Sequence, residues 1–235
     1  MPRRLRAVLL AVPLLVAGCA PVDRPVAPVP PATATVAPAP ATTPPSTTPP
    51  STTPPTPSGT KATGRTVRYA FPVRGRSSYG RTHALYPATD IFAACGAPVV
   101  SPVDGVVLEV NRVDRFDPAH PAGAWKGGRF VSIAGDDGVR HYGAHLTSIR
   151  DTVRVGARVA AGQPIGTVGH TGNASNVCHL HYALSPLCAR TGDWWLRRGV
   201  VYPWPFLDRW RGGHWASPGA TVRAWQQEHG CPGGP

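Results

Sequence analysis

The distribution of hydrophobic positions divides the chain into a part without a regular pattern and a part rich in short strands. From about residue 67 onward, short apolar runs alternate with clusters of glycine and proline, which is typical of β-strands joined by tight turns. Closely spaced strands with almost no helix predict a mainly β domain over residues 67–188, an antiparallel β-sandwich with barrel-like features. The predicted strands are Arg68–Phe71, Thr89–Phe92, Val99–Ser101, Gly105–Val113, Arg129–Ala134, Val139–His145, Pro164–Val168 and His179–Ser185.

Residues 189–235 form a tryptophan-rich extension that we expect to pack on this domain. A helix is predicted over Gly219–His229, because Ser217 can cap it, Pro218 suits its first turn and Gly230 follows its end. The tryptophans can seal a small core or stack on sugars, and packing is the favoured role. They are Trp194, Trp195, Trp204, Trp210, Trp215 and Trp225.

Residues 1–19 have the features of an export signal. Three arginines precede the apolar run Ala7–Val16, which is too short to span a bilayer as a stable anchor. Val16-Ala17-Gly18-Cys19 resembles a bacterial lipobox, which implies cleavage before Cys19 and acylation of its thiol. The protein is then expected to be exported and held at the membrane of the cell envelope by lipid. The alternative is an ordinary secretory signal that ends near a cysteine.

Residues 20–66 are predicted to be a disordered linker. The segment consists largely of Pro, Ala, Thr and Val, with the unit Thr-Thr-Pro-Pro-Ser starting at Thr42 and again at Thr47. It cannot bury enough apolar surface to offset the entropy of ordering, and proline biases it toward extended polyproline II. The linker therefore provides reach through the envelope, or alternatively simple spacing with glycosylation on threonine.

The charge of the chain favours an acidic partner. The formal net charge is +12, and removal of the signal would lower it by three, because the signal holds three arginines and no acid. No basic helix or aromatic RNA-binding motif is visible, so nucleic acid is not an expected partner. Attraction to an anionic polymer of the envelope is the simpler explanation.

Four cysteines would remain after acylation of Cys19. Cys95, Cys178, Cys188 and Cys231 are an even number in an oxidising compartment, which permits three pairings. Cys178 and Cys188 flank a short segment that could turn back on itself, so we favour that disulfide. Cys95–Cys231 then follows only by elimination.

The stretch Cys178-His179-Leu180-His181-Tyr182 carries the clearest chemical signal. In a strand, alternate side chains share a face, so His179 and His181 project together. Two imidazoles on one surface can serve a metal site in which one ring binds the cation and the other acts on the polarised substrate. The pattern requires a further histidine and a carboxylate from elsewhere in the chain.

Upstream segments contain such residues. The first runs from Thr82 to Phe92, the second from His141 to Leu146 and the third from Gly169 to Asn173. Together with the His179-Leu180-His181 strand they resemble, in order and spacing, the lysostaphin-type (LytM-domain) zinc endopeptidases, which cut peptidoglycan peptides. The resemblance covers residues 69–184.

The resemblance implies a complete zinc endopeptidase site. Carried over position by position, the zinc ligands are His83, Asp90 and His181, and the catalytic histidines are His145 and His179. Two imidazoles and a carboxylate suit Zn²⁺, and three protein ligands leave a fourth position for water. The expected reaction is hydrolysis of peptide bonds in peptidoglycan by a monomeric enzyme.

Two positions depart from the usual family motifs. His83 lies seven residues before Asp90, whereas the family spaces this pair as His-x-x-x-Asp and would place the histidine where this chain has Tyr86. Residues between the two must therefore loop out, which Pro87 favours. The second motif is one residue longer than usual. We assign His145 rather than His141 because Leu146 follows it, although regular strand alternation would place both rings in the same cleft.

The remaining polar candidates are weaker. His170 lies in a glycine-rich turn and is a loop residue unless it borders the substrate groove, and Asn173 and Ser175 could bind substrate or simply belong to a polar loop. His120, His214 and His229 are expected to be solvated. The alternatives to an enzyme are an inactive domain that binds the wall or activates a hydrolase, and a sugar-binding module built on the tryptophans.

Overall fold

The computed structural model describes residues 66–188 and 192–234. The predicted signal peptide and all of the predicted linker except Thr66 lie outside these residues. No helix within the described ranges combines the length and the apolar character needed to cross a membrane. The strands are β1 (Ser77–Tyr79), β2 (Thr89–Ala93), β3 (Pro98–Val100), β4 (Gly105–Asn111), β5 (Phe130–Gly135), β6 (Val139–Ala144), β7 (Leu146–Ile149), β8 (Arg158–Val159), β9 (Pro164–Val168) and β10 (His179–Pro186); the helices are α1 (Trp194–Arg197), α2 (Trp204–Arg211) and α3 (Gly219–His229).

The strands form two antiparallel sheets. The larger has the order β1-β2-β10-β6-β5-β4-β8 and the smaller the order β3-β9-β7. The larger sheet does not close into a barrel, since β1 and β8 remain its two edges. The prediction of a mainly antiparallel β fold is therefore confirmed, and the α-helices of the described residues lie in the C-terminal part.

Strand β10 lies inside the larger sheet, between β2 and β6, and all of its residues are buried. Because alternate side chains take opposite faces, Leu180, Tyr182 and Leu184 project into the main hydrophobic core. That core also receives side chains from the smaller sheet and from α2 and α3. The other face of β10 carries His179 and His181 above a smaller apolar cluster of Ala88, Phe130, Tyr142, Ala144 and Ala183.

Several strand boundaries differ from the predicted ones. Arg68–Phe71 is not a strand, and only Tyr69 forms an isolated bridge, with Val103. Strand β1 was not predicted, because an edge strand that pairs only with β2 does not need alternating apolar residues, and Ser77 and Ser78 provide none. The short strands β7 and β8 were missed for the same lack of a pattern.

The disulfide prediction was wrong. The bonds join Cys95 to Cys178 and Cys188 to Cys231. Cys178 directly precedes β10 and Cys188 follows its end. At about 3.3 Å per residue, an extended strand of that length keeps its two ends roughly 30 Å apart, so these two thiols cannot meet. Cys95–Cys178 instead joins the adjacent ends of β2 and β10.

The C-terminal extension packs on both faces of the larger sheet. Helix α3 has the predicted bounds and the Ser217 hydroxyl accepts a hydrogen bond from Gly219 N–H at 3.1 Å. Trp210 of α2 is buried and stacks on Tyr69 with ring centroids 5.2 Å apart. The packing role expected for the tryptophans holds for Trp210, whereas Trp215 is 57% exposed. Helix α1 lies against β6 and β10.

A buried ion pair holds the start of α1 to the sheet. Asp193 directly precedes α1 and accepts two hydrogen bonds from the Arg140 guanidinium on β6, and both side chains are fully buried. Arg140 also donates to the Cys188 carbonyl at 3.2 Å. Two charges removed from water are stable only when they are paired, so the contact constrains where α1 can lie.

We predict that Asp193→Ala lowers the free energy of unfolding by about 3–5 kcal/mol, because it leaves the Arg140 guanidinium buried without its carboxylate. The double variant Arg140→Met/Asp193→Leu, which replaces the pair with apolar groups of similar volume, recovers most of this loss. Chemical denaturation measures both. The control Asp151→Ala removes a fully exposed carboxylate and leaves stability unchanged. A loss below about 1 kcal/mol in Asp193→Ala would contradict the importance of the pair.

Candidate metal centre

The site begins with the pairing of β2 and β10. In this register Asp90 lies opposite His181, and Phe92 lies opposite His179. Residues opposite each other on antiparallel strands share a face, so the carboxylate and both imidazoles project from the same side of the sheet. Asp90 Oδ1 lies 2.9 Å from His181 Nδ1 and 3.8 Å from His179 Nε2.

His83 reaches the same place from an irregular segment that precedes β2. Its Nε2 lies 3.7 Å from Asp90 Oδ2, and its ring centroid is 5.1 Å from that of His181. The chain between His83 and Pro87 consists of bends, which accommodate the long spacing to Asp90. Tyr86, at the position where the family motif has its histidine, packs its ring 4.4 Å from His83 and 5.8 Å from His181.

His145 enters the site through a change in backbone direction. It follows the last residue of β6 and has a φ of 65°, which is uncommon outside glycine. This left-handed residue interrupts the alternation of the strand. The His145 ring consequently lies on the face of the site, with its centroid 4.7 Å from His179 and 5.9 Å from His181.

The expectation that His141 could line the same cleft was wrong. His141 is paired with Leu184, so it projects into the main core on the opposite face of the sheet. There its Nδ1 lies 2.7 Å from the Tyr182 hydroxyl and its Nε2 lies 3.1 Å from Asp137 Oδ2. The break in alternation at His145 is the reason that the two histidines separate.

Backbone carbonyls determine which ring nitrogens carry a proton, since a carbonyl can only accept. His145 Nδ1 donates to the Thr171 carbonyl at 2.7 Å and His179 Nδ1 to the Val177 carbonyl at 2.8 Å. In the neutral rings Nε2 is then an unprotonated acceptor. His181 has the opposite arrangement: its Nε2 donates to the Arg198 carbonyl at 3.0 Å, which leaves Nδ1 facing Asp90.

The ligating atoms of His83, Asp90 and His181 fit a zinc ion. They lie within 4.8 Å of one another, and bonds of about 2.0–2.1 Å in a tetrahedral site place neighbouring ligand atoms about 3.4 Å apart. When Nε2 carries the only ring proton of His181, the lone pair of Nδ1 faces a carboxylate oxygen of Asp90, and a cation bound to both atoms would remove the repulsion between them. The carbonyl that holds the other nitrogen of His181 is the usual outer partner of a metal-binding imidazole.

The pKa shifts favour the protonation states that a metal requires. Burial, assisted by the nearby ring of His181, lowers the pKa of His83. Burial and the neighbouring histidines lower the pKa of His145 to about 3. Burial alone would raise the pKa of Asp90, but its close contact with His181 and the adjacent imidazoles lower it below the usual value. At neutral pH the carboxylate is therefore ionised, and His83 and His145 are neutral.

The site lies in a cleft of about 360 Å³. Asn173 and Ser175, the predicted substrate-binding candidates, line this cleft. His170 is exposed and does not line it. The predicted solvent exposure of His120, His214 and His229 matches the structure. Sequence reasoning missed four lining residues whose roles depend on tertiary contacts. These are Tyr142, Trp194, Arg197 and Arg198.

The C-terminal wall of the cleft depends on close backbone contact. Gly199 has a φ of 126°, and a Cβ at this position would collide with the Pro87 carbonyl oxygen. A glycine is therefore required for the segment after α1 to approach the bend that carries His83. The isolated Arg-Arg-Gly sequence contains no signal for this contact, which only the packing of the extension creates.

Comparison with known proteins shows similarity to a peptidase family and to two endopeptidases. Residues 85–191 match the family model for Peptidase family M23. The L-Ala–D-Glu endopeptidase of Bacillus subtilis (strain 168) is 31% identical over 157 residues, covering 60% of this chain and 43% of that protein. The glycyl-glycine endopeptidase ALE-1 of Staphylococcus capitis is 32% identical over 115 residues, covering 48% of this chain and 26% of that protein.

The chain spans less than half the length of either curated relative. Among solved structures, the catalytic domain of the antimicrobial peptidase lysostaphin from Staphylococcus simulans is 26% identical, with a TM-score of 0.43. The comparison covers 56% of this chain and 92% of that one.

We predict that the protein binds one equivalent of zinc. His83→Ala and His181→Ala should each weaken zinc binding, because each variant removes a direct ligand. The loss should exceed the roughly 10–100-fold that loss of an outer-shell partner typically costs. Competition with a chromophoric chelator measures the affinity. His170→Ala, which removes an exposed imidazole outside the cleft, is the matched control and retains full affinity. Equal loss in all three variants, or less than half an equivalent in wild type, would refute this assignment.

Proposed function

We propose that the protein is a zinc-dependent endopeptidase that hydrolyses peptide bonds of peptidoglycan, because residues 85–191 match the model for Peptidase family M23. The two curated relatives are endopeptidases named for L-Ala–D-Glu and glycyl-glycine bonds, and both names support a peptide substrate. The basic charge of the chain is consistent with an anionic wall polymer.

One observation carries the proposal: two histidines beyond the three candidate ligands converge on the same point. His145 and His179 lie in the cleft with their rings 4.7 Å apart, and Nε2 of His179 is 3.8 Å from the ligand carboxylate. A purely structural metal site has no use for additional imidazoles, whereas a hydrolytic site needs groups that accept and donate protons.

The chain's own residues can supply the proton transfers of amide hydrolysis. Zn²⁺ held by His83, Asp90 and His181 would act as a Lewis acid that polarises the scissile carbonyl and lowers the pKa of water at the open position. The unprotonated Nε2 of His145 or His179 can take the proton of the attacking water. The resulting imidazolium can hydrogen-bond to the developing oxyanion or protonate the leaving nitrogen.

The carbonyls of Thr171 and Val177 keep these two rings in position. Each accepts the Nδ1 proton of one catalytic candidate, so the ring cannot rotate without losing a short hydrogen bond. His145 and His179 are also buried, which strengthens their electrostatic effect on a bound peptide. Both properties favour orientation of the reactive nitrogens before the substrate arrives.

We predict that His145→Ala and His179→Ala each lower turnover of purified muropeptides by about 10²–10⁴-fold, the usual contribution of a positioned acid or base. Zinc content stays at the wild-type value, because neither ring is a ligand. The control His120→Ala removes an exposed imidazole and retains activity. Chromatography with mass analysis of the released fragments measures the rate and also identifies the bond that is cut.

Full activity in either variant would remove that residue from the mechanism. If wild-type protein with a full equivalent of zinc binds peptidoglycan but releases no fragment, the protein is a wall-binding or hydrolase-activating domain and not an enzyme. The same digestion distinguishes these outcomes, because binding is seen by sedimentation with insoluble wall and cleavage by soluble products.

We further propose that the protein is exported and anchored through lipid on Cys19, with residues 20–66 as the spacer that lets the domain reach its substrate. The support is the basic and apolar pattern of residues 1–18 and the Pro/Thr-rich composition that follows. This arrangement would place a wall hydrolase next to its polymer.

We predict that Cys19→Ser shifts the protein from the membrane fraction to the soluble fraction of the envelope, because the acylated thiol is lost. Immunoblotting of fractionated cells measures the distribution. Cys95 is not an alternative site of acylation, because its thiol is in a disulfide. A mature protein that begins elsewhere than at residue 19, as shown by mass spectrometry, would exclude the anchor.

A further inference from the structure

The wall of the cleft opposite β2 is built by residues beyond the family match. Trp194, Arg197 and Arg198 line the cleft, and all three follow residue 191, where the match ends. The segment is held by the buried pair between Arg140 and Asp193 and supplies the carbonyl that binds His181 Nε2. This part of the extension is therefore fixed next to the candidate metal centre.

The two arginines of this wall have different environments. Arg197 is buried, pairs with Glu109 at 3.1 Å, donates to the Ala124 carbonyl at 3.1 Å and lies over the Phe130 ring. Its charge is neutralised within the protein. Arg198 has no carboxylate within ion-pair distance among the residues that the structure describes.

The Arg198 guanidinium is held by aromatic rings. Its central carbon lies 4.5 Å from the Tyr86 ring centroid and 5.1 Å from that of Trp194. Contacts of this kind stabilise the cation through the ring faces and leave its N–H groups available. The Nε atom is buried and has no hydrogen-bond partner in the described part of the chain. Because Nε is enclosed by protein, the terminal N–H groups of the guanidinium are the donors that a ligand in the cleft can reach.

The charge of the cleft favours an anion at Arg198. Asp90 is the only carboxylate among the described lining residues, and it lies against three of the four site histidines, His83, His179 and His181. Lys126 is the other lining cation with no ion pair among the described residues, and it is exposed. A planar guanidinium matches a carboxylate in a way that a lysine ammonium does not, because two parallel N–H groups can bind both oxygens.

The position of Arg198 relates this anion to the scissile bond. Tyr86 contacts both the guanidinium and a candidate ligand, with its ring centroid 4.5 Å from the guanidinium carbon and 5.8 Å from the ring centroid of His181. The guanidinium carbon is thus at most about 10 Å from the His181 ring, which an extended peptide covers in about three residues.

We propose that Arg198 is a specificity-determining residue that binds a carboxylate of the substrate peptide within three residues of the scissile bond. The inference rests on the proposed endopeptidase function and narrows its substrate class to acidic peptides. In peptidoglycan stem peptides the α-carboxylate of the γ-linked glutamyl residue is an available partner, and its amidation would remove the negative charge without changing the size of the group.

The test compares binding of two stem peptides that differ only in whether this carboxylate is free or amidated. Zinc-loaded protein carrying His179→Ala is used so that binding is measured by calorimetry without turnover. We expect the free acid to bind about 10-fold or more tightly than the amide, the usual range for a hydrogen-bonded charge. Arg198→Gln abolishes this preference, and Arg198→Lys retains only part of it because the paired donors are lost.

Arg209→Gln, which removes an exposed arginine of α2, is the matched control and retains the preference. Equal binding of the two peptides by protein with Arg198 intact would overturn the proposal, and this comparison does not depend on whether Arg198→Gln folds. A preference that survives Arg198→Gln but is lost in Lys126→Gln would also overturn it. Failure of the endopeptidase function is separate, since it appears as absence of cleavage by wild type whatever the binding result.

Discussion

The antiparallel pairing of β2 with β10 is the constraint on which the candidate site depends. It places Asp90 opposite His181, with His179 two positions away on the same face. A slip of one residue in this register would turn the histidines to the other side of the sheet. The Cys95–Cys178 disulfide joins these strands next to His179 and opposes such a slip. One backbone register thereby supplies two candidate ligands and one catalytic candidate.

The other site residues reach this strand pair through irregular backbone. His83 comes from a run of bends, and His145 from a single left-handed residue after β6. Carbonyls of Thr171, Val177 and Arg198 then determine which nitrogen of three rings carries the proton. The tautomers of these three imidazoles are thus decided by main-chain carbonyls outside the strands, while the sheet provides the rigid support that such a site requires.

Stability and function are coupled in the C-terminal extension. The buried Arg140–Asp193 pair positions the segment whose Arg198 carbonyl holds His181 and whose Arg198 guanidinium faces the cleft. Displacement of this segment would change the candidate metal centre and the candidate subsite together. The extension therefore contributes to the candidate site, although the match to the family ends at residue 191.

The sequence alone determined the features that arise from local periodicity. Strand alternation placed His179 and His181 on one face, and capping signals located the helix Gly219–His229. Tertiary structure alone decided the separation of His145 from His141, the disulfide partners and the cleft position of Arg198. The physical reason is range: alternation and capping act over a few residues, whereas a positive φ, a disulfide or a cleft wall is selected by contacts between segments distant in the chain.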